Sequence, residues 1–451
     1  MKKQFAVCLI LSVVNSPLLA ENMMQVYRHA QRNDAQIKAS EAGYLAIQEK
    51  KIQALSELKP RLNLQGNASY TTQFSSRQAN RTDNKSAFLN LGYTLNLTQP
   101  LYRKSANALN DQVDATLLRA KAGLALDQQN LIIRVASAYI SYLKAKDNAK
   151  FAKLETQAFA RQFKQVKAFF DAERVAITDV KEAQARYNLA RSRQVSTKQQ
   201  ILLAKESLKV ISGHYYNDLW GAANHIPLLL PKPKNISAWS RAAVTNSPKV
   251  HRAEHAVSTA QGSVDIARAG KSPTVDLFAR HSISSLHGES SFDQDKSDAA
   301  VGVQFNIPLY SAGNTDSKIR EARYKLKQTR YQLQSEKRNA TQQTRAAYLS
   351  IITGLAQLDA LQRALESNQV ATRSTQAGFA VGTRTALDVL LSLRETFRSQ
   401  RDIASARYDF LLNTLKLKQA AGILNIKDLQ GVSNLLTRTN SASTQVIKYR
   451  P

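Results

Sequence analysis

Two stretches of this 451-residue chain repeat one another at a nearly constant distance, and that duplication limits the folds open to it. Phe170-Asp171-Ala172-Glu173-Arg174-Val175-Ala176-Ile177-Thr178-Asp179-Val180 aligns without a gap on Phe379-Ala380-Val381-Gly382-Thr383-Arg384-Thr385-Ala386-Leu387-Asp388-Val389, an offset of 209. Gln99-Pro100-Leu101-Tyr102 returns as Ile307-Pro308-Leu309-Tyr310, and Lys59-Pro60-Arg61-Leu62-Asn63-Leu64 as Ser272-Pro273-Thr274-Val275-Asp276-Leu277, at offsets of 208 and 213. Offsets this steady mark a duplicated structural unit. A wall of equivalent staves gains from such a repeat; a pocket enzyme gains little.

Within each copy the hydrophobic period switches. Leu62, Leu64, Ala68, Tyr70 and Phe74 alternate with Asn63, Gln65, Asn67, Ser69 and Thr71; Leu89, Leu91, Tyr93, Leu95 and Leu97 alternate with Asn90, Thr94, Asn96 and Thr98. In the second copy Val275, Leu277, Ala279 and Ile283 oppose Thr274, Asp276, Arg280, Ser282 and Ser284. Val301, Val303, Phe305, Ile307 and Leu309 oppose Gly302, Gln304 and Asn306. Alternation of this length suits strands with one face to lipid and one to a wet lumen; the rival is a half-buried sheet in a soluble protein. The hairpin tips, Ser75 to Ser86 and Gly288 to Asp298, are polar and turn-rich.

Between the hairpins the pattern becomes helical. Arg103 to Phe170 and Asp316 to Ala377 contain one glycine each (Gly123 and Gly354) and no proline. Each run is long enough for a continuous helix of roughly 100 Å. Shorter helices are expected over Asn22–Glu57, Ile177–Ile211, Ile236–Ala269 and Ala386–Ala421. Leu390, Phe397, Ala404 and Leu411 recur at heptad spacing, which suits coiled-coil packing. The repeats then run 21–213 and 236–421, separated by an aromatic- and proline-rich insertion at 214–235. Residues 422–451 begin as a companion to that insertion and end in a Ser/Thr/Asn-rich tail, expected to be disordered from about Asn434.

Residues 1–20 have the form of a secretory signal: Lys2 and Lys3, an apolar run from Phe5 to Val14, and Leu18-Leu19-Ala20 before the expected cut. Cys8, the one cysteine, leaves with that segment, so disulfides and thiolate chemistry are excluded from the mature chain. Loss of the two lysines leaves 61 basic against 34 acidic residues, a net charge of +27. These charges are scattered at helical spacing, as on a solvated helix surface. Anionic lipid or anionic cargo is the sharper reading, and export argues against nucleic acid as a partner. No later segment has the 18 or more apolar residues of a transmembrane helix, so an exported membrane protein of this kind must be a β-barrel. Four strands cannot close a wet barrel, and open edges cannot exist in lipid, so the chain is expected to oligomerise. Three copies give twelve strands, the smallest assembly with a usable lumen.

Several motifs together identify a family. Glu21-Asn22-Met23-Met24-Gln25-Val26-Tyr27, Val175-Ala176-Ile177-Thr178-Asp179-Val180, Val381-Gly382-Thr383-Arg384-Thr385 and Ala406-Arg407-Tyr408, set in the duplicated helix–hairpin plan, resemble the TolC family of trimeric outer-membrane channel-tunnels. The resemblance covers nearly the whole mature chain. It implies a membrane α+β fold: a homotrimeric 12-stranded β-barrel, four strands per chain, continuing into a 12-helix coiled-coil periplasmic tunnel. It implies a passive duct for multidrug efflux or type I secretion, not an enzyme, with no cofactor. Partners implied are outer-membrane lipid, a periplasmic adaptor (membrane fusion protein) and an inner-membrane RND or ABC transporter that opens the tunnel. The rival class is a periplasmic coiled-coil adaptor linking the two membranes, although neither a lipoyl-like domain nor an anchor is visible.

The resemblance also assigns residues. The two aligned motifs become the tunnel tips, where Gly382 suits a turn needing positive φ while its counterpart is Glu173. Arg384 would bridge to Asp179 and Thr178 to lock the closed state. Asp388 would form a ring of three carboxylates that favours cations and raises its own pKa. Two positions depart from the family pattern: Phe379 replaces a tyrosine whose hydroxyl serves the lock, and Leu391 replaces a second acidic ring. The Leu391 change is either ordinary drift or a constriction of one acidic and one apolar ring. His251-Arg252-Ala253-Glu254-His255 matches an inverted zinc-peptidase pattern. The aligned Lys38-Ala39-Ser40-Glu41-Ala42 lacks both histidines, which favours a plain surface without metal.

Overall fold

A computed structural model describes residues 21–75, 84–222, 230–288 and 294–437. The leader, the centres of both hairpin tips, part of the 214–235 insertion and the tail after Thr437 lie outside the described residues. In chain order the elements are α1 (Met23–Asn33), α2 (Ala35–Ser56), β1 (Arg61–Ser75), β2 (Asn84–Arg103), α3 (Lys104–Asp171), α4 (Ile177–Ser212), β3 (Gly221–Ala222), α5 (Ile236–Asn246), α6 (Pro248–Ala269), β4 (Thr274–Gly288), β5 (Gln294–Asn306), α7 (Asn314–Ala380), α8 (Ala386–Ala420), α9 (Ile426–Asn434) and β6 (Leu436–Thr437). The duplication is visible in the lengths: 11 and 22 residues for α1 and α2 against 11 and 22 for α5 and α6, and 68 for α3 against 67 for α7.

Two of the expected helices are broken in two, at equivalent places. Asp34 and Ser247 each leave helical geometry, with ψ of 117° and 123°. The Asp34 carboxylate then accepts the Ile37 N–H at 2.9 Å, restarting α2 with its own N-cap. Pro248 opens α6 at the first helical position, where its missing N–H is not needed.

The chain divides into two compact units, one the described part of Met1–Lys38, Asp127–Ser247 and Thr341–Pro451, the other Ala39–Leu126 and Pro248–Ala340. The second unit holds a four-stranded antiparallel sheet in the order β1-β2-β4-β5, so β2 and β4 join the two repeats at its centre. Register keeps each repeat's pattern on one face: Leu62 faces Leu97, Tyr93 faces Ile283, and Leu277 faces Val303. That apolar face is not covered. Leu64, Val301 and Phe305 are 70%, 79% and 71% exposed, which a half-buried sheet of a soluble protein would not show. His281 lies on this face beside Tyr93, its Nδ1 3.4 Å from the hydroxyl.

β5 is shorter than its alternation suggests. It ends at Asn306, opposite the first residue of β4, and Pro308 has no N–H to extend the ladder. Pro100, at the matching place in β2, stays in register with Asp276, past the last β1 partner Thr98, and Leu101 bulges out before Tyr102 pairs with Val275. Among the described residues, β1 and β5 each lack an outer neighbour.

The first unit contains the small β3–β6 pairing, which ties the described end of the insertion to the residues after Gly422. Asn434 to Thr437, placed by the sequence pattern in a disordered tail, instead ends α9 and forms β6. Buried α3, α4, α7 and α8 side chains make one core, including Phe159, Val166, Ala183, Phe379, Val389 and Leu390.

Candidate gate and constriction

Both tips of the helical unit are built by the same stop-and-restart signal. At the end of α3, the Arg174 N–H reaches back to the Phe169 carbonyl at 2.8 Å and the Glu173 N–H to Phe170 at 2.8 Å. At the end of α7, the Thr383 N–H reaches Gly378 at 2.8 Å and the Gly382 N–H reaches Phe379 at 3.2 Å. This is the Schellman arrangement, which needs a left-handed residue just past the helix. Glu173 supplies it at φ +58° and Gly382 at φ +85°. The first repeat therefore keeps the same backbone without a glycine.

The helices restart through aspartates. Thr385 Oγ1 accepts the Asp388 N–H at 3.2 Å while the Asp388 carboxylate accepts the Thr385 N–H at 3.0 Å, a reciprocal capping box. Asp179 does the same for the Ala176 N–H at 3.3 Å, where alanine has no side chain to answer. The Thr385 backbone N–H, then the Thr385 contact and nearby Arg384, hold the Asp388 carboxyl below the usual carboxylate range. Within one chain the direction is thus opposite to that expected of a repelling carboxylate ring.

The structure brings some of the sequence-assigned residues together and leaves others apart. Phe379 is 4% exposed, its ring 5.2 Å from that of Phe169, with the Arg174 guanidinium 4.6 Å above the latter. It therefore joins the tips by packing, without a hydroxyl. Thr178 and Arg384 are exposed, and Asp388 and Leu391 are partly exposed. Among the described residues no ion pair within the chain links Arg384 to Asp179, and the carboxylate on which Arg384 acts is Asp388.

Other polar groups between these helices went unread in the sequence. Glu155 on α3 is 1% exposed and is held by Arg401 of α8 at 2.7 Å and Arg193 of α4 at 3.3 Å. Thr372 and Thr396 hydroxyls meet at 2.8 Å across α7 and α8, and Asn368 Nδ2 donates to Ser399 at 2.8 Å. Tyr408 donates to Asp147 at 2.8 Å; burial pushes that carboxyl up, only partly offset by Tyr408, Lys150 and Lys146. The signal lay in the heptads. Ala145, Ala152, Phe159 and Val166 step by seven, all buried, and Glu155 and Gln162 step with them three residues on.

The zinc-peptidase pattern resolves differently. Glu254 pairs with Lys337 at 2.9 Å and contacts His251 at 3.4 Å. Burial raises its carboxyl, but Lys337 and His251 outweigh that and hold it below the ordinary value. A carboxylate so engaged is a helix-surface partner.

A duplicated helical unit with capped tips, and a sheet exposing a continuous apolar face, define a channel component of an outer membrane. The family comparison places it there: the chain belongs to the outer membrane efflux protein family, whose model matches residues 26–214 and 239–423. It is 31% identical to outer membrane protein TolC of Escherichia coli over 97% of this chain and 89% of that one. The alkaline protease secretion protein AprF of Pseudomonas aeruginosa is 26% identical over 94% and 89%. Among solved structures, the CmeC outer-membrane channel of Campylobacter jejuni superposes with a TM-score of 0.76 at 15% identity, covering 92% and 90%. The channel protein CusC gives 0.76 at 17%, covering 90% and 93%. The protein is an outer-membrane efflux channel and not an enzyme, and nothing in these likenesses supports the adaptor reading.

Proposed function

We propose that three copies of this chain close a twelve-stranded barrel in the outer membrane and a twelve-helix tunnel in the periplasm. The observation that carries this is the four-stranded sheet with its apolar face exposed and both outer edges unpaired among the described residues. Lipid would solvate the face, but unpaired N–H and C=O groups have no partner there, so the edges must meet other copies.

In this reading the duct conducts passively, and an inner-membrane RND or ABC transporter with a periplasmic adaptor supplies energy and opens it. Efflux of small molecules and type I secretion of proteins are both served by such a duct. The gate is the set of tip residues Thr178, Asp179, Phe379 and Arg384, with the Gly382 turn. Arg384 would meet Thr178 and Asp179 of the closed assembly, and Phe379 would hold the tips by packing. Asp388 and Leu391 line the narrowest ring.

Single-channel recording of the purified protein in a planar bilayer tests this, with Asp388→Ala and Leu391→Asp alongside. The expected result is discrete conductance steps, a weaker cation preference in Asp388→Ala and a stronger one in Leu391→Asp. A monomer that never inserts would refute the assembly. Unchanged selectivity in both variants would move the constriction elsewhere.

A further inference from the structure

Near the tips, a cleft of ≈ 640 Å³ opens between α3 and the α7–α8 pair, within the size range of small-ligand sites. Its lining combines donors with an apolar wall. Gln162 is 5% exposed, yet its Nε2, which can give two hydrogen bonds, has no partner. An unmade buried donor of that kind is uncommon in a native core. Arg161 and Arg373 stand exposed in the same lining, and neither has an ion-pair partner among the described residues. Leu393 and Phe397 supply apolar surface.

Gln165, Gln369 and Gln376 add amides that can both donate and accept, but negative charge is absent from the lining. No aspartate or glutamate lines the cleft. The Thr372 hydroxyl donates to the Ser392 carbonyl at 3.0 Å and the Thr396 hydroxyl to the Asn368 carbonyl at 3.1 Å, so their protons are already committed between α7 and α8. The lining thus carries two guanidinium charges and no carboxylate beside an apolar wall, with an unpartnered amide donor buried at its edge, which suits an anionic head on an apolar body.

We propose that this cleft binds a small carboxylate carried on an aromatic or aliphatic group. The carboxylate accepts from Gln162 Nε2 and from Arg161 and Arg373, while the apolar body lies against Leu393 and Phe397. A bound acid would span α3 and α7. Phe379, which the gate reading uses for packing, also borders the cleft, but Arg161, Gln162 and Arg373, on which the assignment rests, are neither gate nor constriction residues.

The test is a fluorine-NMR titration of 4-fluorobenzoate against the assembled full-length protein in neutral detergent. The neutral 4-fluorobenzyl alcohol and the cationic 4-fluorobenzamidine serve as comparators. Saturable benzoate binding is expected, with both comparators at least about tenfold weaker. Arg161→Gln with Arg373→Gln should weaken benzoate about tenfold, and Gln162→Glu, which replaces the buried donor by a like charge, should abolish it. The flanking arginines can accommodate that glutamate, so the assembly should persist and native electrophoresis can verify it. Absence of saturable binding overturns the proposal, including the case in which a carboxylate of another copy already fills the cleft. Equal binding of the alcohol, or undiminished benzoate affinity in the double arginine variant, overturns it as well.

Discussion

The two tip turns allow one backbone requirement to be tested with opposite signs in a single molecule. Gly382 sits at φ +85°, and a Cβ built there meets nothing within 4 Å. Gly382→Ala therefore carries no clash, only the backbone penalty of a left-handed L-residue, about 1–2 kcal/mol, less the roughly 0.5–1 kcal/mol gained by restricting the unfolded chain, a net cost of up to about 1.5 kcal/mol. At φ +58° Glu173 already bears such a penalty. Glu173→Gly removes it but adds unfolded-chain freedom worth about 0.5–1 kcal/mol, so the net gain is between zero and about 1.5 kcal/mol. Hydrogen exchange reads both locally, because the Thr383 and Arg174 amides close the two turns at 2.8 Å. If local opening controls exchange, Gly382→Ala speeds the Thr383 amide by up to about tenfold, since about 1.4 kcal/mol corresponds to that ratio. Glu173→Gly should leave the Arg174 amide unchanged or slow it up to about tenfold. Glu173→Ala, still left-handed, should change it little. A slower Thr383 amide in Gly382→Ala, or a faster Arg174 amide in Glu173→Gly, would refute the reasoning.

Asp34→Asn keeps Oδ1 for the Ile37 N–H and Arg134 Nη2 but removes the charge and the 2.8 Å contact with Arg134 Nη1, and should cost about 2 kcal/mol in urea titrations of detergent-extracted protein. Burial raises the Asp34 carboxyl, yet the Arg134 fork and the Ile37 N–H outweigh it, leaving the folded pKa below the ordinary value. Its contribution should be complete above about pH 4, the ordinary carboxylate range, and fade as pH falls through the depressed pKa, where wild type and Asp34→Asn should converge. Asp147 has the opposite sign: its raised pKa makes the charged form unfavourable in the fold as pH rises. Asp147→Asn, which can still accept from Tyr408, should match wild type in acid and exceed its stability at neutral pH; a deficit at neutral pH would contradict this. Gly422→Ala would push a Cβ to 2.4 Å from the Asn246 carbonyl carbon at φ +75°, and should lower stability by about 1–3 kcal/mol, seen as earlier proteolysis of the α5–α6 junction.

The alternating strands, the two helices of nearly seventy residues and the duplication were legible because each is a period, and period survives without knowledge of neighbours. The break at Asp34 was not read, although an aspartate with a free N–H three residues on is an ordinary N-cap. Ser247-Pro248 carried an even clearer stop at the matching place. The end of β5 at Asn306 could not be read from alternation, since it depends on where β4 begins. At the tips, Thr385-Ala386-Leu387-Asp388 is a capping signature in plain sequence, but the reading gave Asp388 to a constriction and passed over the cap. Glu155 was hardest: its arginines come from two other helices, so only the heptad step marked it as buried.

The seam between β2 and β4 has a consequence for how the protein is made. It joins Phe88 to Gly288 and Arg103 to Thr274, so the middle of the sheet cannot zip until β4, the first strand of the second hairpin, has been synthesised. A chain interrupted before then holds only the β1–β2 hairpin, and a lone two-stranded hairpin is marginal in water. Truncated products should therefore fail to commit to the membrane and remain substrates for proteases. The duplication that gives the wall its regularity also makes the first hairpin wait for the second.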